Sequence, residues 1–203
     1  MLQEFLEFHG TWRSYQQRVL DRSGLYLADG KIHIVAAPGA GKTMLGIELV
    51  RRLDRPALVL APTITIREQW VQRMRENFLK CPEDEAAHIS QDLRHPGKIT
   101  VATYQALYSA MSRYAGTLRE NEELGTQEEV DYSDFDVADA FREGGLGTLC
   151  LDECHHLRSE WWKALEQFRG QFPEIRTVAL TATPPYDSTP AQWERYLSLC
   201  GEV

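Results

Sequence analysis

Eight residues, Ala36-Ala37-Pro38-Gly39-Ala40-Gly41-Lys42-Thr43, place two glycines, a lysine and a hydroxyl in one short run. Gly39 and Gly41 can adopt backbone angles closed to other residues, so consecutive N–H groups can converge on phosphate oxygens at the positive end of a following helix. Lys42 then supplies a point charge for β and γ phosphates, and Thr43 a hydroxyl for Mg2+. Far downstream, the apolar run Leu149 to Leu151 ends in Asp152-Glu153-Cys154-His155. An aspartate at a strand tip can hold the metal opposite Thr43, and the next acid can orient and deprotonate an attacking water. Adjacent acids after a strand are common and mean little alone. Joined to the glycine-lysine loop, they describe phosphoryl chemistry with Mg2+.

Elements that could position these groups follow from the apolar pattern. β-branched runs recur at Ile32 to Ala36, Ala57 to Ala61, Ile99 to Thr103, Thr148 to Leu151 and Thr177 to Leu180, with helical stretches between them. That alternation predicts an α/β fold with a mostly parallel sheet and helices on both faces. Leu45, Leu49 and Leu53 share helical spacing, as do Ile66, Trp70, Met74 and Phe78, and again Trp162, Leu165 and Phe168. In such sheets ligands collect at the carboxyl ends of the strands. Thr63 and Arg67 follow the second run, Thr103 and Tyr104 the third, Asp152 and Glu153 the fourth, and Thr181-Ala182-Thr183 the fifth. One active face is therefore expected.

Composition narrows the class. The chain has 203 residues, 43% of them hydrophobic, enough for one full core. It contains no apolar run of membrane-spanning length, and Met1 to Phe8 lacks the features of an export signal, so a cytoplasmic protein with no membrane partner is expected. The net charge of −8 is localised: residues 119–143 hold ten acids against Arg119 and Arg142, which leaves the remainder neutral. Residues 112–147 read as an acidic insertion or mobile loop, a solvated excursion with some helix at Val137 to Arg142. The functional alternative is a cover that competes electrostatically with nucleic acid for the cleft. Cys150, Cys154, His155 and His156 crowd together, but no second ligand pair at finger-like spacing follows, so a buried Cys150 and a Cys154 in a turn are preferred over zinc.

The general phosphate-loop pattern has Gly where Ala36 stands. The same eight residues fit A-x-x-G-x-G-K-T, the form of motif I in superfamily 2 helicases and translocases. With Asp152-Glu153-Cys154-His155 and Thr181-Ala182-Thr183-Pro184 as motifs II and III, residues 12–185 resemble the N-terminal RecA-like ATPase lobe of that superfamily. The DEAD/DEAH-like subgroup with type III restriction subunits and XPB and UvrB relatives is the most similar. Trp12-Arg13-Ser14-Tyr15-Gln16 is similar to the upstream element whose glutamine reads adenine. Ala61-Pro62-Thr63 with Gln69-Trp70, and Ala102-Thr103-Tyr104, resemble the boxes that contact the nucleic-acid backbone.

The resemblance implies ATP and Mg2+ as cofactors, with Pro38 to Thr43 and Gln16 on the nucleotide and Thr43 and Asp152 on the metal. It implies Lys42, Asp152, Glu153 and His155 in catalysis, His155 coupling to Thr181 and Thr183, and Thr63, Arg67, Thr103 and Tyr104 on nucleic acid, DNA rather than RNA. Thr63 and Thr103 hydroxyls and nearby helix N-termini suit phosphate contacts without sequence readout. For Tyr104, a packed ring at a helix start competes with a base-stacking platform. A helicase of this kind is expected to have a second RecA-like lobe carrying an arginine finger, and the chain ends at Val203, soon after motif III. It therefore reads as an isolated ATP-binding lobe, nearly inactive alone. The alternatives are another P-loop ATPase, such as an AAA+ module or nucleotide kinase, and a nucleotide-dependent interaction module docked through its acidic segment.

Overall fold

The central strands form because short β-branched and aliphatic runs are bounded by turn residues and have both faces to bury. The computed structural model describes residues 1–119 and 127–202. Within them a helix α1 (Ser14–Tyr26) leads to β1 (Lys31–Val35), α2 (Lys42–Leu53), β2 (Ala57–Ala61), α3 (Ile64–Asn77), a short α4 (Glu83–His88) and β3 (Ile89–Ser90). There follow β4 (Ile99–Thr103), α5 (Tyr104–Met111), β5 (Ala115–Arg119), β6 (Gln127–Asp131), α6 (Val137–Glu143), β7 (Thr148–Asp152), α7 (Ser159–Gly170), β8 (Arg176–Thr181) and α8 (Pro190–Cys200). Six strands join in the order β1-β8-β7-β2-β4-β3, every pair parallel. The α/β architecture expected from the sequence is present.

Alternation along each strand sorts side chains to two cores. On β2, Leu58 and Leu60 face the core shared with α5, α6, α7 and α8, while Ala57 and Val59 face the core of α1, α2 and α3. Cys150 on β7 joins the second core and its neighbours Leu149 and Leu151 the first. At Gly46 in α2 an added Cβ would lie 2.6 Å from both Leu180 Cδ1 and Trp70 Cη2. The missing side chain lets α2 sit directly on β8, which sets the depth of the loop before it. No helix among the described residues is long and apolar enough to cross a membrane.

Of the acidic excursion expected at residues 112–147, the helix at Val137 to Arg142 is present as α6, whereas the residues before it pair as strands. β5 and β6 form an antiparallel hairpin in which Gly116 pairs with Val130 and Leu118 with Glu128. Leu118, Val130 and Tyr132 are buried, as are Val137, Ala138 and Phe141 of α6, so the segment packs onto the α5–α7 core. Asp136 caps α6 by accepting from the Asp139 N–H. The acids Glu120, Glu122 and Glu123 of the expected acidic segment lie outside the described residues, as do Val203 and the His156 side chain.

Candidate nucleotide site and nucleic-acid face

The loop between β1 and α2 is shaped by Gly39 and Gly41, at φ 77° and 83°. At Gly41 a Cβ would meet Gln16 Nε2 at 2.6 Å, so glycine is needed there for space as well as for angle. The Lys42 ammonium donates to the Ala36 carbonyl at 3.0 Å and pairs with Glu153 Oε1 at 3.2 Å. Pro38, Gly39, Gly41, Lys42, Thr43, Asp152 and Glu153 line one cleft of about 640 Å³ together with Arg13, Gln69 and Arg73. That volume falls within the roughly 300–1,000 Å³ of small-molecule sites.

Asp152 ends β7 and is 5% exposed. Its Oδ2 accepts from Trp70 Nε1 at 2.8 Å, and its backbone carbonyl accepts from the Tyr104 hydroxyl at 2.9 Å. Burial pushes the carboxyl up to about 6, with Glu153 adding to the rise and the Trp70 bond and Lys42 opposing it. A buried carboxylate and the Thr43 hydroxyl lining one cleft are hard oxygen donors of the type Mg2+ takes. Among the described residues there is no cluster of three or more metal-ligating side chains. Such a sparse donor set fits Mg2+, which takes one or two protein ligands and completes its shell with phosphates and water.

Glu153 adopts φ 48°, ψ 42°, and from there reaches three ways. Oε1 meets Lys42, while Oε2 accepts from the Ala182 N–H at 3.1 Å and from the Thr181 hydroxyl at 3.4 Å. His155 Nδ1 lies 2.6 Å from Thr181 Oγ1 and 3.3 Å from Glu153 Oε2, and its Nε2 lies 3.4 Å from Thr183 Oγ1. Residues expected to couple are thus in contact across β7 and β8. Cys154 is buried with its Sγ 3.1 Å from Cys200 Sγ, and all four cysteines are free.

Other expected residues take quieter positions. Gln16 lies behind the loop, 6% exposed; its Oε1 accepts from the Arg13 N–H at 3.0 Å and its Nε2 donates to the Ala40 carbonyl at 3.5 Å. Thr63 and Thr103 cap α3 and α5, each accepting at 3.1 Å from the N–H three residues on. Because β2 and β4 are paired, with Ala61 opposite Thr103, these two helix N-termini stand side by side. Tyr104 is 2% exposed, so its ring has no face for a base: of the two readings, the packed tyrosine at a helix start is the one present, and its hydroxyl supports Asp152. Arg67 is 9% exposed and engaged by Glu68 and Glu128.

Sequence reasoning placed Trp70 in the core and missed its grip on Asp152. A tryptophan N–H rarely stays unpaired when buried, and that was the available signal.

Comparison with known proteins accords with this geometry. Residues 9–186 match the family described as "Type III restriction enzyme, res subunit". The chain is 27% identical over 191 residues to the "DNA 3'-5' translocase XPB2" of Sulfurisphaera tokodaii, covering 94% of this chain and 34% of that protein. It is 27% identical over 174 residues to the "Putative ATP-dependent RNA helicase QP509L" of African swine fever virus, covering 84% and 29%. The chain thus spans about a third of the length of these relatives. The helicase domain of Pyrococcus furiosus Hef superposes with a TM-score of 0.58 at 20% identity, over 94% of this chain and 36% of that one, and shares the fold. With the glycine-lysine loop and the acids of β7 on one cleft, and Thr181 at the end of β8 in contact with Glu153, the chain belongs to the type III restriction enzyme res-subunit family, as a superfamily 2 RecA-like helicase lobe.

Proposed function

We propose that this chain binds ATP–Mg2+ in the cleft between its phosphate loop and β7, and the backbone of DNA at the N-termini of α3 and α5. Hydrolysis and movement along the track would require a second RecA-like lobe. The observation that carries this reading is Glu153, which joins Lys42 to the Ala182 N–H and lies beside His155. One side chain thereby links the phosphate-gripping loop to the loop that would report the phosphate's state.

Lys42 would exchange Glu153 for phosphate oxygens, and the freed Glu153 carboxylate would orient a water and take its proton. Thr43 and Asp152 would hold Mg2+, which would supply charge neutralisation at the phosphates. Gln16 holds the loop from behind, and an adenine edge would compete with the Arg13 N–H for its amide. Thr63, with the partly exposed first turn of α3 that it caps, offers donors to one phosphate, and the buried Thr103 beside it would reach a second only where the start of α5 opens. DNA as the track is supported by the XPB2 relative, named a DNA translocase; competition with RNA of matched sequence checks that choice.

Titration calorimetry tests the assignment. Wild-type chain should bind ATP in Mg2+, and Lys42→Ala should abolish the heat of binding. Unchanged affinity in Lys42→Ala would remove the phosphate-loop role. Salt-dependent binding to single-stranded or duplex DNA should accompany it. Nucleotide binding without DNA binding would favour the interaction module.

A further inference from the structure

Arg67 stands one turn into α3, its N–H bonded to the carbonyl of the Thr63 cap at 2.9 Å. It is a charge held nine-tenths out of water, yet only two of its three nitrogens are answered. Nη2 meets Glu68 Oε1 at 3.2 Å, a neighbour on its own helix that is largely exposed. Nη1 meets Glu128 Oε2 at 3.2 Å, and Glu128 comes from β6 of the hairpin, 61 residues along the chain. Nε is buried without a hydrogen-bond partner among the described residues.

A buried guanidinium with an unanswered nitrogen is poorly satisfied by single contacts to two separate carboxylates. Its planar fork is built for two parallel bonds to one carboxylate or one phosphate. The hairpin is no accidental neighbour, because Leu118 and Val130 are buried in the core beneath it and fix where Glu128 points. β6 carries Glu128, Glu129 and Asp131, so the strand that meets Arg67 is acidic along its length.

We infer that Glu128 is a built-in stand-in for a backbone phosphate: it occupies Arg67, and nucleic acid engages the α3 N-terminus only by displacing it. The inference rests on the nucleic-acid reading above. It makes the hairpin a gate whose strength is one ion pair. When Arg67 is released, its fork, including the unanswered Nε, becomes available to a phosphate beside the Thr63 cap.

The experiment measures fluorescence anisotropy of a labelled single-stranded oligonucleotide across a salt series. The proteins are wild type, Glu128→Gln, Glu129→Gln, Arg67→Gln and the Arg67→Gln/Glu128→Gln pair. Glu128→Gln keeps the shape of the side chain and removes its charge, and thermal melts confirm folding of each variant. The expected result for Glu128→Gln is binding about three- to tenfold tighter at low salt. The slope of log affinity against log salt should steepen by about 0.7–0.9 as Arg67 joins the contact. The double variant should lose both effects, and Glu129→Gln should show much less of either.

Equal gains in Glu128→Gln and Glu129→Gln would reduce the effect to net charge and overturn the inference. So would unchanged binding in Glu128→Gln when wild type binds. If no protein of the set binds oligonucleotide while ATP binding persists in calorimetry, the nucleic-acid reading itself falls, and this inference with it.

Discussion

Glu153 holds a left-handed backbone conformation that costs a non-glycine residue about 1–2 kcal/mol. What offsets that cost is visible at both ends of the residue: its N–H donates to the Leu180 carbonyl at 2.8 Å, and its carboxylate is met by Lys42, Thr181 and Ala182. Asp152 beside it is steadied differently, by Trp70 from α3. Trp70→Phe should therefore leave the fold intact while freeing the carboxylate to turn. The lost bond is expected to cost about 1–3 kcal/mol of stability. The diagnostic readout is calorimetry, where affinity for ATP should fall in Mg2+ but stay unchanged in EDTA. Equal losses with and without metal would show that Trp70 acts through packing alone.

At the scale of elements, helices and strands were legible where the chain repeats a simple period. Ala57–Ala61 and Ile99–Thr103 match expectation residue for residue, because both are runs of aliphatic and β-branched residues buried on two faces. The hairpin was not legible. β5 and β6 carry a single buried aliphatic side chain each, Leu118 and Val130, among glycine, acids and arginine, so composition masked a pairing that only the underlying core creates. The candidate site divides in the same way. Lys42, Thr43, Asp152 and Glu153 were readable as local motifs, whereas Trp70–Asp152 and Arg67–Glu128 join residues 82 and 61 positions apart.

The contact of α8 with β1 yields a pH prediction. His33 on β1 donates from Nδ1 to the Gly201 carbonyl at 3.3 Å and accepts at Nε2 from the Tyr196 hydroxyl at 2.9 Å, an arrangement that needs the neutral ring. Burial lowers its pKa. A histidine depressed in the folded state contributes stability that is full above its unfolded pKa of about 6.5 and is lost as pH falls toward the folded value. The urea midpoint should drop between about pH 7.5 and about pH 5.5, and His33→Gln should shrink that drop. An equal drop in the variant would assign the acid sensitivity to other groups.

At the scale of the whole molecule, everything nominated for chemistry stands at the carboxyl ends of neighbouring strands, and the acidic hairpin sits beside that face. Two arginines, Arg13 and Arg73, line the cleft, whereas Arg195 is bound by Glu166 and Arg176 donates to the Leu27 carbonyl. Neither Arg195 nor Arg176 lines the cleft, and the proposed function assigns the arginine finger, worth about 10³- to 10⁵-fold in rate, to a second lobe. Turnover by residues 1–203 should accordingly be slow and little changed by DNA in a coupled phosphate-release assay. Fast, DNA-stimulated hydrolysis would show that this lobe completes its own site.

Beyond the last rung of the β1–β8 ladder, the Ala36 N–H still donates to the Thr181 carbonyl at 3.0 Å. The phosphate loop and the threonine loop are therefore stitched together at their roots, by backbone. If the two loops act together as proposed, a displacement of one would be passed to the other through this backbone bond. The fast variable left at this junction is the swing of the Glu153 carboxylate between its partners, a side-chain rotation whose kind belongs to picoseconds and nanoseconds. In the proposed function, the slower steps of a working cycle would belong to a second lobe closing on this one, with the stitched junction already in register.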